Sequence, residues 1–220
     1  MEVIDRGFKG RKVRSSDYRK RYMSSTQVLS RDVLDAPSIV QAQLLRAGVV
    51  SPLDLMRGYI QRISESNPKL NAVVQDRFAQ AMREAEEAED TIQSAGDIDE
   101  LPPFIGVPCT IKEFFSIKGM PHTGALAKRA GTIAVQDSIL VERVRQAGAI
   151  PMAITNAPEG GLWMETYNSI TGRTKSPWHP LRTPGGSSGG EGALLAVGAS
   201  SFGMGSDVGG SIRIPAAFCG

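Results

Sequence analysis

Apolar positions recur at helical spacing early in the chain. Ile39, Val40, Leu44 and Ala47 fall on one helix face, and Gly48 stands where such a helix would end. A second helix begins at Ser51-Pro52-Leu53-Asp54. Ser51 suits the N-cap, Pro52 the first turn and Asp54 the reciprocal capping position. Leu55, Met56, Tyr59, Ile60 and Ile63 form its apolar face, and Asn67-Pro68 is predicted to stop it. Residues 71–75 predict a short strand, and 78–95 a helix rich in Ala and Glu with a solvated charged face. After a polar connector over 96–103, residues 104–117 are apolar and lean toward β structure. Residues 138–146 predict a helix and 149–155 a buried strand. Helices alternating with buried strands predict an α/β layer fold, and no internal repeat is visible.

Residues 1–35 lack this patterning and are expected to form a basic flexible arm, with the ordered domain running over 36–220. Arg6, Lys9, Arg11, Lys12, Arg14, Arg19, Lys20 and Arg21 fit either a solvated tail or a peripheral contact with an anionic membrane. No run approaches the roughly 20 apolar residues of a membrane span, and the N-terminus lacks a signal-peptide apolar core. A cytoplasmic or peripherally membrane-associated protein is the expectation. At 220 residues, 41% hydrophobic and 22% charged, the chain can bury a sizeable core. The net charge of +2 gives no footing for a nucleic-acid partner. Cys109 and Cys219 are too few and too far apart for a disulfide framework or a zinc ladder, so no metal and no cofactor are expected. They fit buried small apolar residues; a cysteine nucleophile lacks a nearby histidine in sequence.

Beyond Pro180, glycine and serine become dense at Gly185-Gly186-Ser187-Ser188-Gly189-Gly190 and again from Gly203 to Ser211. A flexible linker would not be followed at once by Leu194, Leu195, Ala196 and Val197, nor interrupted by Asp207 and Arg213. Glycine turns bring backbone N–H groups close to an anion. A phosphate is one such anion, although neither cluster ends in the Gly-Lys-Ser/Thr of a phosphate loop; the other that fits is the oxyanion of acyl transfer. Lys112 lies in the apolar stretch Val107-Pro108-Cys109-Thr110-Ile111-Lys112, followed by Glu113, Phe114 and Phe115. Buried, it would lose proton affinity and serve as a general base; alternatively, Lys112 and Glu113 mark an exposed strand end.

The two serine-glycine motifs, from Gly185 to Leu194 and from Gly205 to Pro215, resemble those of the amidase signature family. Gly106-Val107-Pro108 with Lys112 is similar to that family's lysine strand. Thr155-Asn156, Glu159, Asn168, Gly172 and Arg173 fall where members keep similar residues. The resemblance covers residue 36 to the end. It implies an α/β amidase signature fold with a mixed central sheet flanked by helices, incomplete here because members continue well beyond Gly220. It implies Ser211 as nucleophile, Ser187 after a cis peptide as proton relay, and Lys112 as base. It further implies an oxyanion hole from the N–H groups of Val208, Gly209, Gly210 and Ser211, with Ser188, Asp207 and Arg213 holding the loops. A serine activated by an adjacent base, without histidine, is established chemistry.

The Lys112-Glu113 pair, Glu191-Gly192-Ala193-Leu194 and the run from Ile212 to Phe218 resemble the fatty-acid amide hydrolase branch. The expected partner is a small-molecule amide, with a homodimer in the full-length protein. The expected reaction is hydrolysis of a carboxylic amide to acid and amine. Alternatives are the glutaminase subunit of an aminoacyl-tRNA amidotransferase and a non-catalytic binding protein. A sheet cut at Gly220 would expose strand edges and apolar surface, so the chain alone is expected to aggregate and to be inactive.

Overall fold

The computed structural model describes residues 2–5, 11–14 and 29–220. Near the N-terminus, β1 (Glu2–Asp5) pairs antiparallel with β2 (Arg11–Arg14). Arg6, Lys9, Arg19, Lys20 and Arg21 of the basic run lie outside the described residues. The docked structure begins earlier than the patterning predicts. Helix α1 (Arg31–Leu34) already buries Val33 and Leu34. Buried Gln41 explains why: its Nε2 donates to the Val33 carbonyl at 2.8 Å and to Tyr59 Oη at 2.6 Å, while Tyr59 Oη donates to the Leu34 carbonyl at 2.9 Å. A fixed backbone partner pins α1 although too few apolar residues precede Asp35 to give a periodic signal.

Helices α2 (Ser38–Arg46) and α3 (Pro52–Leu70) follow the predicted spacing. Ser51 caps α3, its Oγ accepting from Leu53 N at 3.1 Å and Asp54 N at 3.4 Å. Asp54 does not reciprocate; it accepts instead from Arg57 Nη1 at 2.9 Å. The predicted stop at Asn67-Pro68 is also overturned, since α3 continues to Leu70 with Pro68 inside it. Asn67 carries the end of the helix: its Oδ1 accepts from Ala72 N and Val73 N (2.7 and 2.8 Å), and Asn71 takes the left-handed cap at φ 53°. Near a helix end, proline forfeits few bonds, and here the terminal groups already have partners.

The central sheet is mixed, in the order β3–β5–β4–β8. Strand β3 (Val73–Asp76) runs antiparallel to β5 (Ile150–Thr155). Strand β4 (Pro108–Lys112) runs parallel to both β5 and β8 (Phe202–Met204). Of the apolar stretch at 104–117, only Pro108–Lys112 is strand. Every residue of β4 and β5 is buried, as a parallel pair covered on both faces requires. Helix α4 (Phe78–Ser94) lays Ala81, Ala85 and Ala88 inward, and α5 (Ile139–Gln146) follows its N-cap Ser138. A minor ladder joins β6 (Tyr167–Asn168) to β7 (Gly172–Arg173). Helix α6 (Gly189–Ala196) rises from the first serine-glycine motif, and α7 (Arg213–Cys219) from the second. Among the described residues no helix is long and apolar enough to cross a membrane.

Candidate active site

Lys112 ends β4, where the parallel strands β4, β5 and β8 deliver their C-terminal loops to one side of the sheet. Its side chain is wholly buried and Glu113 nearly so, which removes the exposed-strand-end alternative. Lys112 Nζ donates to Ser187 Oγ at 2.7 Å and to Ser206 Oγ at 3.0 Å, and stands 4.9 Å from the Phe114 ring centroid. Burial brings its pKa down to about 8, against the pull of Asp207, which favours the charged form.

The Gly186–Ser187 peptide is cis. Gly186 passes so close to the 163–165 backbone that a Cβ there would lie 2.8 Å from the Trp163 carbonyl oxygen. Ser188 knits the two motifs together. Its N–H donates to the Ser211 carbonyl at 3.0 Å, and its Oγ accepts from Ser206 N at 3.3 Å. The main chain of Ser211 is therefore tied to the residue that follows Ser187. Its own hydroxyl makes no hydrogen bond among the described residues.

Asp207 organises the loop that carries Ser211. Its Oδ1 accepts from Gly210 N and Arg213 Nη2, both at 2.8 Å, while Oδ2 accepts from Ile212 N, Arg213 N and Arg213 Nε at 3.0–3.1 Å. The Arg213 guanidinium and these N–H groups hold the Asp207 carboxyl well below the usual carboxylate range. One consequence touches the predicted oxyanion hole. The Gly210 N–H is taken by Asp207, whereas those of Val208, Gly209 and Ser211 have no partner among the described residues.

Three contributors escaped the sequence. Ser206 contacts Lys112 directly; its position between Gly205 and Asp207, inside a recognised motif, was the available signal. Phe114 packs on the ammonium. Glu191, read only as a branch marker, is buried below the site, with Oε2 at 2.6 Å from Thr110 Oγ1 and Oε1 at 2.8 Å from Thr155 Oγ1. Burial pushes its pKa up, well above the usual carboxylate range. Gly203 makes room for it, since a Cβ there would sit 2.0 Å from Glu191 Oε2 and 3.3 Å from Thr110 Oγ1. Gly203→Ala should therefore cost about 1–3 kcal/mol by overpacking. The check is the urea midpoint, which should fall while the slope holds.

Against Gly190 of the first serine motif, buried Asn156 binds the surrounding loops. Its Nδ2 donates to Thr174 Oγ1 at 3.0 Å, and its Oδ1 accepts from Asn168 Nδ2 at 2.8 Å. Gly190 packs against it; a Cβ there would lie 2.5 Å from Asn156 N. Arg173 and Glu159 are exposed and stand outside this network's core. Neither cysteine suits nucleophilic work: burial pushes the Cys109 thiol far up and Cys219 up to about 11. Among the described residues no cluster of three or more His, Cys, Asp or Glu could hold a metal ion.

Comparison with known proteins gives a consistent picture. The model of the Amidase family matches residues 54–220. The chain is 41% identical over 196 residues to fatty-acid amide hydrolase 2-B of Danio rerio, covering 87% of this chain and 37% of that protein. It is 42% identical over 183 residues to fatty-acid amide hydrolase 2 of Homo sapiens, covering 81% and 34%. Among solved structures, a fatty acid amide hydrolase superposes with a TM-score of 0.83 at 26% identity, over 94% of this chain and 36% of that one. A 6-aminohexanoate cyclic dimer hydrolase gives 0.75 at 35% identity, over 84% and 37%. The chain thus spans a little over a third of the length of the relatives it matches.

Proposed function

Because this chain belongs to the amidase family, we propose that it supplies the serine, the relay and the base of an amidase that hydrolyses a carboxylic amide through an acyl-enzyme. The contact that carries this reading is the 2.7 Å approach of a wholly buried Lys112 Nζ to Ser187 Oγ. An amine whose proton affinity is lowered by burial can act as a base, and a hydroxyl in contact with it is a path for a proton.

In the proposed sequence, uncharged Lys112 accepts the Ser187 proton while Ser187 accepts that of Ser211. Ser211 Oγ attacks the amide carbonyl. The developing oxyanion is received by the unengaged N–H groups of Val208, Gly209 and Ser211, with Gly210 committed to shaping the loop through Asp207. The proton then returns along the same hydroxyls to the leaving amine, and water repeats the cycle to release the acid. The Ser187–Lys112 leg is already formed. The Ser211–Ser187 leg closes when substrate seats Ser211 Oγ, a tightening common to sites without ligand.

Two observations favour an amide with a large apolar acyl group, such as a fatty-acid amide. Three of the relatives named above are fatty-acid amide hydrolases. In addition, Leu162, Trp163 and Met164 are all more than half exposed. They follow Gly161, where a Cβ would lie 3.6 Å from Ser187 Oγ, so an apolar rim borders the serine. The test is to treat the protein with a fluorophosphonate probe and map the modified peptide. The adduct is expected on Ser211, and pre-incubation with a long-chain primary amide should slow labelling more than glutamine does. Labelling confined to another serine would refute the assignment. Stronger protection by glutamine would favour a glutaminase.

A further inference from the structure

Glu191 has no part in the reaction just described, yet it is among the most deeply buried ionisable groups and lies against the strand that carries Lys112. A count of protons bears on its state. Ser200 Oγ sits 2.8 Å from the Phe202 carbonyl oxygen, which can only accept, so the Ser200 proton is spent there. Thr110 Oγ1 sits 3.0 Å from Ser200 Oγ, and that contact can use only the Thr110 proton. Thr110 Oγ1 also sits 2.6 Å from Glu191 Oε2. Three contacts are made and the two hydroxyls supply two protons. The third belongs to the carboxyl group. On the other side Glu191 Oε1 accepts from Thr155 Oγ1 at 2.8 Å, as the carbonyl oxygen of an acid does.

We propose that Glu191 is kept as a carboxylic acid and acts as a positioning residue for Lys112, heading a donor chain through Thr110 and Ser200 to the Phe202 carbonyl. The chain ties β4, β5 and β8 together directly below the base while setting no negative charge beside it. The role assigned to Lys112 rests on the amidase reading; the protonation of Glu191 does not. An ionised Glu191 would leave two hydroxyl lone pairs facing each other at 3.0 Å, an uncompensated contact in a buried site. It would also stabilise the Lys112 ammonium and so weaken the base.

The charged groups around Glu191 are few. Strand β4 presents Lys112 and the thiol of Cys109, and Asp207 acts on Lys112 from the loop after β8. The neighbouring helices carry Arg62 on α3 and Arg213 on α7, engaged by Asp35 and Asp207 respectively. The dipole of α6 favours an anion in its first turn, where Glu191 lies. Burial opposes it and prevails.

The test is isotope-edited infrared spectroscopy of the protein carrying 13C-labelled glutamate side chains. At about pH 6 ordinary glutamates are ionised. A carboxylic-acid carbonyl band should persist there and vanish in Glu191→Gln; its absence from the unaltered protein overturns the proposal. Ser200→Ala provides a second arm that leaves Glu191 in place. It frees the Thr110 proton to bond the carboxylate, so the band should titrate at a pH lower by about one unit. An unmoved midpoint refutes the donor chain. In the rate of amide hydrolysis, the Glu191→Gln midpoint for the base should stay within a few tenths of a unit of wild type. A drop of about a unit would identify Glu191 as a counter-anion instead. If no amide is hydrolysed at all, the spectroscopic arms still decide the state of Glu191.

Discussion

In a protein extended to the length of these relatives, replacing Ser211 with alanine should abolish turnover of an amide substrate, with kcat lowered on the order of 10^4- to 10^6-fold, the range seen when a serine hydrolase loses its nucleophile. The substitution removes one oxygen that makes no hydrogen bond within the described structure, so nothing in the fold depends on it. The main-chain tie from Ser188 N to the Ser211 carbonyl remains, as does the Asp207 web that holds the loop. Stability should stay within about 0.5 kcal/mol of wild type, and the Lys112–Ser187 contact should persist. Loss of turnover with an unchanged denaturation curve is therefore the expected pair of results. Retained turnover would place the nucleophile elsewhere.

In the same extended protein, Lys112→Met should lower kcat/KM on the order of 10^2- to 10^4-fold, the typical contribution of a general base, and should remove a pH dependence. In the wild type the active form is the uncharged amine, and the pKa is brought down to about 8 by burial. Lowering the pH through that value protonates the base. The rate should thus fall tenfold per pH unit on the acid side and level off above about pH 8. At pH 7 about one molecule in ten carries the uncharged amine. Methionine fills much of the same volume beside Phe114, which limits cavity formation, but it can take no proton. The acid limb should vanish with it. Lys112→Arg should fail as well, because guanidinium keeps its proton at any working pH. A limb near pH 8 that survives in Lys112→Met would assign the titration to another group.

These two residues also show how unevenly the site could be read in advance. The serine motifs were legible because glycine at close approaches is a local requirement. Gly186, Gly190 and Gly203 each lie where a Cβ would come within 3 Å of a neighbouring atom, and that need is written into the sequence as glycine. Helix α2, helix α4 and strand β5 were legible because burial of one face or of a whole strand leaves a periodic or continuous apolar pattern. The end of α3 was misread because Pro68 is a local stop signal, whereas Asn67 supplies the terminal hydrogen bonds by reaching forward to residues 72 and 73. The start of the docked structure was misplaced for a similar reason. Val33 and Leu34 are held by Gln41 and Tyr59, which are distant in sequence.

By itself, then, the sequence determined the α/β class, the extents of α2, α4, α5 and β5, and the glycine-rich turns and the lysine to be considered for chemistry. Each of those follows from short-range constraints: backbone sterics, capping, and the period of an element with a buried face. It left Lys112 undecided between a buried base and an exposed strand end, because one lysine in an apolar run fits both. Only the tertiary structure brought Nζ, Ser187 and Ser206 together and engaged the Gly210 N–H. Only it placed Glu191 between Thr110 and Thr155, residues 81 and 36 positions away in the chain. Desolvation and proton sharing depend on which groups meet in space, and no local pattern encodes that meeting.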